Sequence, residues 1–429
     1  MPQPDQPALD LPELLLAESV VTHFQTLASM RGQAILGVEA LTRGVEPRTG
    51  RTIPPQALFD LAKSDELLIA LDRLCRKHAL RSFQALESDH PGLLLSLNFE
   101  AGLLDRGVGG SGHLLGTVRE LGLDPAGIII EIVESKVRDV AALERFVEDH
   151  KAHGFLVALD DVGSGHSNLE RIAILKPDVL KIDRSLISGL DRHYHKQEVT
   201  RALLNMAGKI GALVVAEGVE SEEEALAALE MGVDVLQGFY LDRPGPGLAG
   251  MDRAQELTAH LAGRFRRHIV EKIAAKKDRH RIFDQIMRGM VASLEGAGEE
   301  GLDQRLAELV RMHPWLECVY VLDEGGQQVS QTVCEASRLD SKRRAIFWPA
   351  ARGSDQSLKN YFLLLKAGLE RYVSEPYISL ASGNLCITIS TWFRAANGRR
   401  LVLCGDFDAE PLETGLSNGL ATSLGRARR

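Results

Sequence analysis

Apolar runs alternate with apolar periodicities along the first half of this chain. Residues 20–30 and 34–41 are two strand-like runs separated by Arg31-Gly32-Gln33, which reads as a hairpin turn. Over residues 56–86, Leu58, Leu61, Leu67, Leu68, Leu71, Leu74, Cys75 and Phe83 recur at helical spacing behind the start signal Pro54-Pro55. The run Leu93-Leu94-Leu95-Ser96-Leu97 ends at Asn98, and Ile128-Ile129-Ile130 runs into Glu131, with a helical segment over 114–121 between them. A helix over 137–152 leads to Phe155-Leu156-Val157-Ala158-Leu159, which ends in Asp160-Asp161 before Val162-Gly163-Ser164-Gly165. After a short helix near 168–175 comes the strand Val179-Leu180-Lys181-Ile182-Asp183. A helix over 198–210 precedes a strand over 212–216 that ends at Glu217. Ser221-Glu222-Glu223-Glu224 has the form of a capping box opening a helix to Met231, and a last strand over 233–236 delivers Gln237-Gly238-Phe239. Strands alternating with helices through short connections predict a TIM-like parallel (β/α) barrel. The polar residues that end the strands would then meet on one face.

Past Pro244-Gly245-Pro246-Gly247 the pattern changes. Phe265, Ile269, Ile273, Ile282, Ile286 and Met290 recur at near-helical spacing over 251–294, interleaved with a basic run from Arg264 to Arg281. We read this as a connecting helix with a solvated basic face, able to pair with its twin, rather than as a nucleic-acid surface. After Gly296 to Gly301 the pattern predicts a helix to Met312, strands over 316–322 and 327–333 about a Gly325-Gly326 turn, a helix over 358–369, and strands over 385–393 and 400–407. A small antiparallel α+β domain is the simplest assembly. Tyr361, Arg371, Tyr372 and Tyr377 either line a pocket in it or fill its core. The expected organisation is a tail over 1–17, a barrel over 18–247, a helical linker over 248–294, a second domain over 295–410 and a tail over 411–429.

The 429 residues exceed one ordinary domain, and an apolar share of 45% suits two packed cores. A formal net charge of -9 argues against a nucleic-acid or membrane-surface partner. No apolar run reaches bilayer length, and the first ten residues, Pro-rich and acidic, do not resemble a signal peptide, so a cytoplasmic location is expected. The five cysteines, Cys75, Cys318, Cys334, Cys386 and Cys404, are scattered and odd in number, which reads as reduced, buried thiols and not as a zinc site. His193 and His195 read as solvated.

Candidate chemistry lies at the strand ends. Glu39, Asn98, Glu131, Asp160, Asp161 and Glu217 are oxygen donors of the kind magnesium and manganese prefer. Arg43 and Lys181 add the positive charge that a phosphate substrate and its attacking water would need.

These residues lie in motifs through which the chain resembles the EAL-domain phosphodiesterases. The motifs are E-A-L-T-R at Glu39 to Arg43, L-N-F at Leu97 to Phe99, E-I-V-E-S at Glu131 to Ser135, D-D-V-G-S-G at Asp160 to Gly165, L-K-I-D at Leu180 to Asp183, A-E-G-V-E at Ala216 to Glu220, and Q-G-F at Gln237 to Phe239. The resemblance implies metal-dependent hydrolysis of cyclic di-GMP to linear pGpG with two Mg2+ or Mn2+ ions. It implies that Glu39, Asn98, Glu131 and Asp160 hold one ion, and that Asp160, Asp161 and Glu217 hold the other. Lys181 would orient or help deprotonate the attacking water, and Arg43 and Gln237 would contact substrate. Glu134 would brace the loop after Asp161, with Glu220 and Asp183 supporting the site from outside the ligand set. The chain departs from the family pattern at Val162, Ser164 and His166, where Phe, Thr and Tyr are usual. It departs again at Thr26, where Pro follows Gln, and at Asp242, where a small residue is commoner. The second domain resembles the PAS-like or Cache-like sensory module behind some EAL domains, in the YkuI-type arrangement, which implies a regulated homodimer with an unidentified ligand. The rival expectation is a cyclic di-GMP receptor that binds without turnover.

Overall fold

Parallel strands covered on both faces are nearly continuous apolar runs, and Ile128–Ile132 and Val179–Ile182, apolar but for Glu131 and Lys181, are buried at every position. The computed structural model describes residues 10–108, 112–133, 137–164, 169–295, 301–335 and 348–409. Among these, eight strands close into a ring in the order Val20–Ser29, Val235–Leu236, Leu213–Ala216, Val179–Ile182, Leu156–Val162, Ile128–Ile132, Leu94–Phe99 and Ala34–Val45, which pairs back with the first. Seven of them run parallel. Val20–Ser29, the first arm of the expected hairpin, is antiparallel to both neighbours, so the barrel is of mixed sense.

The barrel interior is filled by Leu27, Ile129, Ala158, Val179, Val215 and Val235, with Leu36, Leu94, Leu156 and Leu213 against them. The outward positions pack on the apolar faces of helices Asp65–Asp89, Val140–Ala152, Tyr194–Ile210 and Glu222–Met231. One close approach is possible only for glycine. A Cβ on Gly37 would lie 2.4 Å from the carbonyl oxygen of Leu94, its partner across the parallel pair.

The chain divides into two compact units, Met1–Ile269 and Val270–Arg429. The tail and the linker, in which helical content is expected over 11–17 and 251–294, both contain helices. Within 1–17, the helix Leu11–Leu16 buries Leu11 and Leu14 against Ile53, Leu58, Leu71 and Cys75 of the first unit. The helix Met251–Glu295 buries Ala254 and Leu261 in the barrel unit's core, while its later residues belong to the second unit, where the Phe283 ring lies 4.6 Å from that of Phe407.

The second unit carries an antiparallel sheet in the order Val333–Cys334, Leu316–Leu322, Arg400–Asp408, Leu385–Arg394 and Arg371–Val373, with Tyr377–Ile378 also paired to Leu385–Arg394. The helices Leu302–Met312 and Asn360–Lys366 belong to the same unit. The strand expected over 327–333 is only Val333–Cys334. The chain after the turn makes isolated bridges, Leu322 to Gln328 and Gln327 to Asp355, before it leaves the sheet. Tyr361 and Tyr372 pack against the cluster of Tyr320, Leu322, Phe362 and Val402, Tyr377 hydrogen-bonds Thr388, and Arg371 pairs with Asp284, all four half-buried. The expectation of five reduced thiols is corrected as well. Antiparallel register sets Cys318 directly opposite Cys334, and the two are joined as a disulfide, while Cys75, Cys386 and Cys404 are free and buried.

Candidate active site

Side chains alternate between the two faces of a strand, so the residues that fill the barrel dictate what stands above them. Two residues on from Ile129 is Glu131, from Ala158 is Asp160, from Val179 is Lys181, from Val215 is Glu217 and from Val235 is Gln237. From Leu94 the same step gives Ser96 and then Asn98, and on the antiparallel strand a step back from Leu27 gives Gln25. Glu39 stands two beyond Gly37 and faces Gln25 and Ser96 across its neighbours. Asp161 would break the alternation, but the ladder slips between Leu159 and Val162, a β-bulge, and Asp161 takes a left-handed φ of 56°. The bulge aims both adjacent carboxylates at the mouth. Oxygens of Asp160, Asp161 and Glu217 lie within 4.8 Å of one another.

Lys181 lies at the centre and is 2% exposed. Its Nζ is 2.6 Å from Glu131 Oε1, 2.6 Å from Glu217 Oε1, 3.2 Å from Glu39 Oε2 and 3.7 Å from Asp160 Oδ1. Asn98 Nδ2 donates to Glu39 Oε1 at 2.8 Å and Gln237 Nε2 to Glu39 Oε2 at 2.6 Å, so both oxygens of that carboxylate are oriented. The Ser96 hydroxyl donates to Glu131 Oε1.

One ammonium among so many carboxylates leaves the site acidic. Burial pushes the Glu131 carboxyl well above the usual range, and the charges of Glu39, Asp160 and Glu217 add to it against the opposing pull of Lys181. Glu217 is pushed up to about 8, by burial first, with Lys181 opposing. Burial acts upward on Glu39 too, but Lys181 and the hydrogen bonds from Gln237 and Asn98 bring it below its ordinary value. Burial would strip Lys181 of its proton, yet Glu131, Glu217, Glu39 and Asp160 together hold it well above the usual lysine value.

The donor set fits a hard divalent cation. Glu39, Asn98, Glu131, Asp160, Asp161 and Glu217 all offer oxygen, and Glu131 Oε2 is buried without a hydrogen-bond partner. A buried carboxylate oxygen left bare is costly unless a cation or a proton takes it.

Some residues expected at the site have other work. Gln237 is buried, with its amide NH2 shared between Glu39 and Gln25, where a substrate contact was expected. Asp183 caps the helix Arg184–Ile187 through Ser185 N at 3.0 Å. Glu220 pairs with Arg184 at 2.8 Å on the surface. Arg43 is half-buried beyond Glu39 on the same strand and donates to Thr42 O at 2.8 Å. Glu134 lies outside the described residues, as does His166. Sequence reasoning missed Ser96 and Gln25, polar residues inside apolar strands whose parity with Asn98 and Leu27 was the available signal. It also missed the tie made by Glu224 beyond its place in the capping box: its carboxylate accepts from Gly189 N and Glu220 N at 2.9 Å each, joining the turn between helices Arg184–Ile187 and Tyr194–Ile210 to the loop after strand Leu213–Ala216.

The EAL domain profile matches residues 8–244. The chain is 30% identical over 265 residues to a Pseudomonas aeruginosa protein named bifunctional diguanylate cyclase/cyclic di-GMP phosphodiesterase MucR, covering 59% of this chain and 36% of that one. It is 25% identical over 385 residues to the uncharacterized EAL-domain containing protein YkuI of Bacillus subtilis, covering 87% of this chain and 91% of that one. The crystal structure of YkuI in complex with c-di-GMP and calcium superposes with a TM-score of 0.77 at 24% identity, over 94% of this chain and all of that one, a likeness of fold.

Proposed function

This chain belongs to the EAL domain family, and from that membership we propose that it is a metal-dependent phosphodiesterase that hydrolyses cyclic di-GMP to linear pGpG. One observation carries the reading: the carboxylates of Asp160, Asp161 and Glu217 converge within 4.8 Å beside the bare, buried Glu131 oxygen at one barrel mouth. Glu39, Asn98, Glu131 and Asp160 would hold one Mg2+ or Mn2+, and Asp160, Asp161 and Glu217 a second. Bound there, the cations supply the charge that makes a water nucleophilic near neutral pH and stabilises an in-line displacement at phosphorus.

The chain's own groups do the positioning. Lys181, whose Nζ is 2.6 Å from both Glu131 and Glu217, orients or helps deprotonate the attacking water. Arg43 faces a phosphate oxygen of the substrate. Water attacks phosphorus, the bond to the 3′ oxygen breaks, and that oxygen leaves with a proton, so the linear product keeps its 5′ phosphate. Among the described residues no helix is long and apolar enough to cross a membrane; we place the enzyme in the cytoplasm as a homodimer, with the second unit as a PAS-like or Cache-like module whose ligand regulates turnover.

The test incubates the purified full chain with cyclic di-GMP and Mg2+ or Mn2+ and follows the nucleotides by chromatography. Linear pGpG that disappears with a chelator is the expected result. Binding of cyclic di-GMP with no linear product at high protein concentration would make the chain a receptor instead.

A further inference from the structure

Asp242 has no part in the chemistry above, yet hydrogen bonds lead from it to Glu39. Both its carboxylate oxygens accept from the backbone N–H of Thr26, each at 3.3 Å, and its carbonyl oxygen accepts from the Gln25 side-chain amide at 3.1 Å. Gln25 Oε1 in turn accepts from Gln237 Nε2 at 3.1 Å, the same nitrogen that donates to Glu39 Oε2 at 2.6 Å. Gln25, Gln237 and Glu39 are all buried, so water does not compete for these bonds.

The segment that carries Asp242 is itself anchored to the hairpin that carries Gln25 and Glu39. Gly250 packs so closely on it that a Cβ there would stand 2.9 Å from the Asp242 Cβ. Gln255, one turn into the helix Met251–Glu295, donates to Gln33 O at 2.8 Å and accepts from Ile35 N at 3.2 Å. Strands Val20–Ser29 and Ala34–Val45 are thus held at Thr26, in the turn-side half of their pairing, and at the turn between them.

A carboxylate that ligates a metal works only in a narrow range of orientations, and its outer hydrogen bonds set that orientation. Glu39 has one oxygen fixed by Asn98 and the other by Gln237. The Gln237 amide is steered by Gln25, whose strand is fixed by Asp242. We propose that Asp242 is a positioning residue of the metal site: through Gln25 and Gln237 it sets the plane of the Glu39 carboxylate and with it the affinity for a divalent cation. The proposal rests on the phosphodiesterase reading only for its turnover readout.

Mn2+ binding to the full chain without nucleotide, followed by the paramagnetic resonance of free Mn2+, tests it directly. Asp242→Ala weakens binding by about ten- to a hundredfold, the range for lost outer partners of a metal ligand. Asp242→Asn, which keeps an oxygen facing Thr26 N–H, stays within about threefold of the parent by the same reasoning. Gln25→Ala leaves the Asp242 to Thr26 anchor in place and reproduces the loss, which keeps the test decisive if Asp242→Ala does not fold. In turnover, Asp242→Ala raises the Mn2+ concentration for half-maximal rate, while KM for cyclic di-GMP at saturating Mn2+ is unchanged. Parental Mn2+ affinity in Asp242→Ala or in Gln25→Ala overturns the proposal. A parent chain that binds Mn2+ but yields no pGpG sinks the phosphodiesterase reading and leaves the Mn2+ comparison intact.

Discussion

Lys181 is the residue on which the site's charges balance. Four carboxylates lie within 3.7 Å of its ammonium, and removing one partner from a buried ionic cluster costs about 3–5 kcal/mol because the others are left uncompensated. Lys181→Met is therefore expected to lower the unfolding midpoint of the barrel unit in chelator, as seen by far-ultraviolet circular dichroism, and Mn2+ should restore much of the loss. An unchanged midpoint in chelator would mean that the carboxylates find another counterion. Glu39→Ala removes a proposed ligand and the acceptor of three donors at once, so turnover should fall by about a thousandfold or more. Parental rates in that variant would end the assignment of Glu39. At this scale the sequence was informative because the inward positions are periodic: once Ile129, Ala158 and Val179 are taken as barrel filling, the residues two further on must face the mouth. Gln237 shows the limit of that reasoning. Its position was legible, but which partner its amide would choose depended on Gln25, on a strand more than 200 residues away in the sequence.

Among the elements, the hairpin of Val20–Ser29 and Ala34–Val45 matters most, since it closes the ring and carries Glu39. Gly37 allows it to lie against Leu94, and Gly37→Ala would drive a Cβ to 2.4 Å from a carbonyl oxygen. Overpacking of that kind costs about 1–3 kcal/mol, and here the displaced strand takes Glu39 with it. Lower stability together with weaker Mn2+ binding is expected from denaturation and Mn2+ titration; lower stability with parental Mn2+ affinity would show that the strand shift does not reach Glu39. The long apolar runs of the barrel were legible because burial on both faces leaves little else they can be. The second unit was less so. Its late strands were placed within a residue or two, whereas the chain after Gly326 turns away after two bridges and the pairing of Cys318 with Cys334 depended on a register that composition does not reveal.

For the molecule as a whole, the second unit brings a pH dependence of its own. Asp406 lies on a central strand of that unit's sheet and is buried, its carboxylate accepting from Thr388 Oγ1 at 2.8 Å and Ser379 Oγ at 3.3 Å. Burial first, and the Glu317 carboxylate from the neighbouring strand second among the forces acting upward, push it to about 7, with the two hydroxyls opposing. An unfolded aspartate titrates near its model value of 3.8. Below that pH both states hold the proton and the contribution to stability is complete. As the pH rises towards 7 the unfolded chain gives up its proton and the folded Asp406 does not, so stability falls by about 1.4 kcal/mol per pH unit, on the order of 4 kcal/mol in all, and levels off above it. All three tryptophans, Trp315, Trp348 and Trp392, belong to the second unit, so tryptophan fluorescence during denaturant unfolding follows this unit without signal from the barrel. The difference in unfolding free energy between the parent and Asp406→Asn should widen in favour of the variant from pH 4 to pH 8. A difference that stays constant over that interval would show that Asp406 is ionised in the folded chain and that a cation, or water, reaches it inside the sheet.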